Sequence, residues 1–177
     1  MAETSTRKGD EIQYVTLCLG AEVFAVPVAL VREILDYREA FRVPEGPAYL
    51  NGLIDVRGRA TPVIDLRTKL GLTRAETTTA TRIMVVDVPI DDPEAAPTAA
   101  HQTLALGLVA DTVLEVISLS TDQIEPVPTV GNSWRLGYIA GIVRRDDGFV
   151  LIFDLQKLMT APDIDALSLS CDSVSPV

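Results

Sequence analysis

The sequence predicts an all-β fold, two related small barrels with short helices, packed on one another. Three observations predict it. Short apolar runs with strand-like patterning are broken at close intervals by Gly, Pro, Asn and Asp. A motif recurs: Tyr49, Gly52, Asp65 and Leu66 return as Tyr138, Gly141, Asp154 and Leu155, each displaced by 89 residues. The chain of 177 residues is 47% hydrophobic, enough for a packed core, whereas each half of roughly 70 residues is marginal alone. Fusing the halves lets their apolar faces bury against each other.

The elements follow in order. Residues 1–11 read as a flexible polar lead-in, and the fold is expected over 12–160. IQYVTLCLG alternates, with Val15, Leu17 and Leu19 on one face, as a strand does. Gly20-Ala21 makes a turn, and EVFAVPV returns as a second strand that Pro27 ends. VALVREIL reads as a helical turn running into a third strand, and RVPEGPAY as a proline-rich connection.

YLNGLIDVRGRATPVIDL is two strands around Arg57-Gly58. In the following DLRTKLGL, Asp65 is placed to cap a very short helix and Gly71 to stop it. RIMVVDV is a buried strand. The stretch 89–102, rich in Pro, Ala and acid, reads as a long exposed loop. TLALGLVADTVLEVISL resumes strand order. GYIAGIVRRDDGFVLIFDLQKLM gives a second hairpin and helix, with Asp147-Gly148 as turn signal and Phe149–Phe153 apolar on both faces. Residues 161–177 form a tail. A weaker echo pairs Val26 with Leu108, Val31 with Val113 and Glu33 with Glu115, displaced by 82.

The net charge of −10 disfavours nucleic acid and anionic membrane surfaces as partners. No apolar run reaches the ~18 residues of a membrane span, and the polar N-terminus lacks the apolar block of a signal peptide, so a cytoplasmic location is expected. Cys18 reads as a buried core thiol and Cys171 as an exposed one, neither with metal-ligand spacing.

Signals of catalysis are weak. The one histidine, His101, lies in the irregular loop without a second ligand or the rigid setting a triad needs. Asp65 and Asp154 are the best carboxylate pair for acid–base work, but each precedes a Leu-rich turn and reads first as a helix cap. Asp91, Asp92 and Glu94 lack calcium-loop spacing, and Trp134 reads as a loop anchor. No enzyme, cofactor or metal is expected.

The ordered series FAVPVALVREI, YLNGLIDVRGRATPVIDLRTKLGL, RIMVVDV, GLVADTVLEV, IEPVP and YIAGIV, over about residues 12–160, resembles the CheW family of chemotaxis coupling proteins. The resemblance implies two five-stranded SH3-like β-barrels sharing a hydrophobic core. It implies an adaptor that couples methyl-accepting chemoreceptors to a CheA-type histidine kinase and scaffolds the receptor array at the inner membrane. The implied partners are the regulatory domain of the kinase and the cytoplasmic tip of the receptors. Glu33 of VREI and Arg57 of the hairpin match the family positions implicated in this coupling. Gly58 and Asp55 beside Arg57 belong to the same implied partner surface, as do Val31 and Ile34, which flank the groove between the barrels.

This chain departs from the family in carrying Asp55 where Asn is usual, a longer acidic loop and an extended tail. Strand alternation places Ile54 and Val56 toward the core and Asp55 and Arg57 outward, with Asp55 as the nearby carboxylate that orders Arg57. The second copy keeps the tyrosine, the glycine and the capping aspartate but puts Asp146 at the place of Arg57. Alternatives are a module of a related chemosensory system with pili or another output, and a double barrel holding a small apolar ligand.

Overall fold

The computed structural model describes residues 9–90, 102–127, 137–146, 148–159 and 163. The first half begins with the hairpin of β1 (Glu11–Leu19) and β2 (Glu22–Pro27), joined through Gly20 at a φ of 62°. A 3-10 turn, Val28–Leu30, leads into β3 (Val31–Asp36). Then come β4 (Leu50–Val56), β5 (Arg59–Asp65) and α1 (Leu66–Lys69). The second half holds β6 (Arg82–Ile90), β7 (Gln102–Ala110), β8 (Thr112–Ser120), the two-residue β9 (Ile124–Glu125), β10 (Ile139–Arg145), β11 (Gly148–Phe153) and α2 (Leu155–Leu158).

The halves exchange strands. One sheet runs β8-β1-β2-β11-β10-β9 and the other β3-β6-β7-β5-β4. Thus β3 leaves the first hairpin to pair antiparallel with β6, and β8 leaves the second hairpin to pair with β1. Parallel pairing closes both sheets in the same manner, β5 on β7 and β11 on β2. Each barrel therefore needs both halves of the chain. This fits the expected pseudo-symmetry, with β9 as a sixth, minimal strand on one side. Its counterpart in the other sheet is the single bridge between Phe41 and Leu53.

A shared core lies between the sheets. Leu17, Phe24 and Val26 from one meet Ile64, Met84, Val86, Leu106 and Leu108 from the other. Phe24 and Phe153 stack at 4.6 Å between ring centroids. Each fully buried aliphatic side chain contributes roughly 1.5–3 kcal/mol. Each barrel also has its own cluster, one around Tyr14, Ile117, Val143 and Ile152, the other around Ile54, Val56, Val63 and Ile83.

The 89-residue repeat is a backbone requirement. The Asp65 N–H donates to the Tyr49 carbonyl at 2.8 Å, and the Asp154 N–H to the Tyr138 carbonyl at 2.9 Å. Both strands carrying the glycine shift register beside it, β4 between Leu50 and Gly52 and β10 between Ile139 and Gly141. A Cβ on Gly52 would run into the Phe41 carbonyl, and one on Gly141 into Ile124. The glycines let a neighbouring segment press onto the bulge. Helix α1 ends in a Schellman motif, with Gly71 N–H on the Thr68 carbonyl and Leu72 N–H on that of Arg67.

Several expectations need correction. The fold starts earlier than residue 12: the Gly9 N–H donates to Asp122, the Asp10 carbonyl accepts from Thr121, and Glu11 opens β1. Pro89, Ile90 and Gln102 belong to strands, because β6 and β7 pair as far as Ile90 with Gln102. Residues 91–101, with His101, and also Trp134 and Cys171 lie outside the described residues. Gly148 pairs with Arg145 and so opens β11 instead of sitting in the turn. β11 packs on both faces as expected, Val150 and Ile152 against the barrel cluster and Leu151 and Phe153 against the shared core, except at its start, where Phe149 is 60% exposed. Cys18 is half-buried, its thiol pushed up in pKa by burial and then by the charge of Asp111. Among the described residues no helix is long and apolar enough to cross a membrane.

Candidate functional site

The first hairpin is tight. Val56 pairs with Arg59, leaving Arg57 and Gly58 as the two turn residues, with φ of 53° and 80°. Positive φ at both positions marks a type I′ turn, whose right-handed twist matches the flanking strands. Glycine and asparagine suit these positions; arginine at positive φ carries a steric cost of roughly 1–2 kcal/mol. The Asp55 carboxylate accepts the Gly58 N–H at 2.7 Å and closes the turn. The Asp55 carbonyl accepts from Arg38 at 2.6 Å.

Glu33 comes from β3, which stands at one end of its sheet, and meets the hairpin from the side. Arg57 Nε lies 3.3 Å from Glu33 Oε1, and Nη2 lies 3.5 Å from Oε2. The arginine side chain is 82% exposed and the glutamate 21%. The carboxylate that orders Arg57 is therefore Glu33, with Asp55 engaged on the turn. A pair this exposed contributes little to stability. It can present a guanidinium in a fixed direction, with donors left for a carboxylate or carbonyl on another protein.

The other expected residues divide around this pair. Gly58 is in the turn itself. Val31 is half-buried against the shared core, while Ile34 is 43% exposed one residue beyond Glu33. Sequence reasoning did not include Arg32, whose Nε donates to Asp87 at 3.1 Å. It also missed Arg67, which grips Asp111 through Nε at 2.8 Å and through Nη2. Asp111 accepts the Gly20 N–H as well, at 2.7 Å, so α1 and the β1–β2 and β7–β8 turns are clasped together. The Arg67 hydrogen bond, outweighing burial, holds the Asp111 carboxyl below the usual carboxylate range. Arg67 lies in the RTK run of α1, and nothing in the sequence pointed to its acidic partner.

The two capping aspartates are caps. Asp65 accepts from the Arg67 N–H at 3.0 Å and the Thr68 hydroxyl at 3.2 Å, and Asp154 from the Lys157 N–H at 3.2 Å. A cavity of about 360 Å³ is lined by Arg42, Asn51, Glu76 and Asp111 among others, at the end of the first barrel away from Arg57.

A family model described as the CheW-like domain matches residues 13–163. The chain is similar to a probable chemotaxis protein CheW of Rhizobium etli, 27% identical over 93% of this chain and 97% of that protein. The chemotaxis protein CheW of Helicobacter pylori is 30% identical over 84% of this chain and 81% of its own length. Among solved structures, the scaffolding protein TtCheW of Thermoanaerobacter tengcongensis superposes with a TM-score of 0.73 at 25% identity, covering 92% of this chain and 96% of that one. With the family model matching residues 13–163 and a relative 30% identical over most of both chains, the chain belongs to the CheW-like domain family, and the relatives it matches are named as chemotaxis and scaffolding proteins.

Proposed function

We propose that this protein couples methyl-accepting chemoreceptors to a CheA-type histidine kinase in the cytoplasm, as a scaffold of receptor arrays at the inner membrane. The observation that carries the reading is Arg57. It occupies a turn position where the backbone favours glycine or asparagine, projects into solvent and is steered by Glu33. The second copy of the motif completes its hairpin with Asp146 at that place. The fold does not require the arginine, so a partner contact accounts for it. In this reading Arg57 and Glu33, with Gly58 and Asp55 shaping the turn, face the kinase regulatory domain. Val31 and Ile34 lie toward the receptor helix.

The test is a pull-down with purified receptor-tip peptide and kinase regulatory domain, separately and together. The proposal expects each to be retained alone and both in one complex. Retention of neither would sink it.

A further inference from the structure

The repeat also isolates Lys69. Its counterpart 89 residues on is Leu158, wholly buried in the shared core. Lys69 is half-buried, with its side chain only 8% exposed. An ammonium drawn out of water there needs a counter-charge. Its partners are the Asp163 carboxylate at 2.9 Å and the Tyr49 ring, 4.3 Å below the nitrogen. The Tyr49 hydroxyl donates to the other oxygen of Asp163. Asp163, assigned from sequence to a tail, is thus only 15% exposed.

We propose that Asp163 is a latch that ties the C-terminal segment to the first half and sets the local stability of α1. It holds the helix at both ends. Lys69 is the last residue of α1. The Tyr49 carbonyl receives the N–H of Asp65, which caps the first turn. The contact joins residues 94 and 114 positions apart, so it connects the end of the second half back to the hairpin-bearing first half. The second half keeps the tyrosine and the capping aspartate, but Leu158 anchors α2 directly in the core. The latch replaces that apolar anchor by one that can open.

Amide hydrogen exchange on the full chain tests this. In Asp163→Asn, the Asp65, Leu70 and Gly71 amides exchange at least about tenfold faster. The Asp154 amide, which closes the equivalent bond to the Tyr138 carbonyl, and the Leu158 amide, which bonds the Asp154 carbonyl across α2, stay within about twofold of wild type. Tyr49→Phe, which removes one hydroxyl, gives the same pattern more weakly. In a Lys69→Leu background, adding Asp163→Asn adds only the weaker share carried by the Tyr49 hydroxyl. Unchanged α1 exchange in Asp163→Asn, equal acceleration in both halves, or a full Asp163→Asn effect without Lys69 would each overturn the latch.

Discussion

Arg57 reaches Glu33 across 3.3 Å from a left-handed backbone, and the two side chains come from separate strand systems, the β4–β5 turn and β3. The pair bridges the hairpin to a strand whose own hydrogen-bonding neighbour, β6, belongs to the other half of the chain. A partner that engages Arg57 therefore also bears on the seam where the halves interlock.

Arg57→Asn separates fold from function. Asparagine tolerates the left-handed conformation, and the exposed ion pair it removes is worth little. Thermal and denaturant unfolding should show stability unchanged or raised, within roughly 0.5 kcal/mol. Kinase activation in a reconstituted array should fall. A clear loss of stability would show that the arginine serves the fold.

A charge swap distinguishes the ion pair from the arginine. Arg57→Glu combined with Glu33→Arg restores an attraction between the positions but inverts the charge shown to a partner. Coupling should remain as impaired as in Arg57→Glu alone. Recovery in the double variant would make the pair itself the functional unit.

The two glycines of the hairpin should differ. Gly52→Ala forces a methyl into the Phe41 carbonyl and should destabilise by about 2–4 kcal/mol. Nothing lies near a Cβ on Gly58, so Gly58→Ala meets only the strain of positive φ, about 1 kcal/mol. Chemical denaturation of both variants ranks them.

Asp111 should shape the acid limb of stability. Its carboxyl titrates below its unfolded value because Arg67 favours the charged form. The stabilisation is therefore complete above the unfolded pKa, near 3.8, and is lost as pH falls through the lower folded value. Asp111→Asn should cost about 1–2 kcal/mol at neutral pH and flatten the fall in stability below pH ~4. An equally steep fall in the variant would remove Asp111 from the clasp.

The halves were legible in sequence because their anchors do fixed backbone work. Tyr49 and Tyr138 each lend a carbonyl to a capping aspartate, and Gly52 and Gly141 each admit a crossing segment. The exchange of β3 and β8 was not legible, because alternation states which face is buried and not which edge is joined. Glu33 and Arg57 were both singled out, yet their contact was not, and Asp55 seemed the nearer carboxylate along the strand. The turn geometry sends Asp55 to the Gly58 amide instead. Phe149 looked like core by composition, but it stands at the hairpin end of β11, beyond the packed stretch Val150–Phe153, and is exposed. Asp163 gave no signal, since its partners are about a hundred residues away.

The most direct measurement is the calorimetric affinity of the kinase regulatory domain for wild type and Arg57→Glu at matched salt, with folding verified for both. The account predicts a loss of at least about tenfold in affinity, about 1.4 kcal/mol, with unfolding little changed. Equal affinities for the two proteins would contradict the assignment of Arg57 to the partner surface.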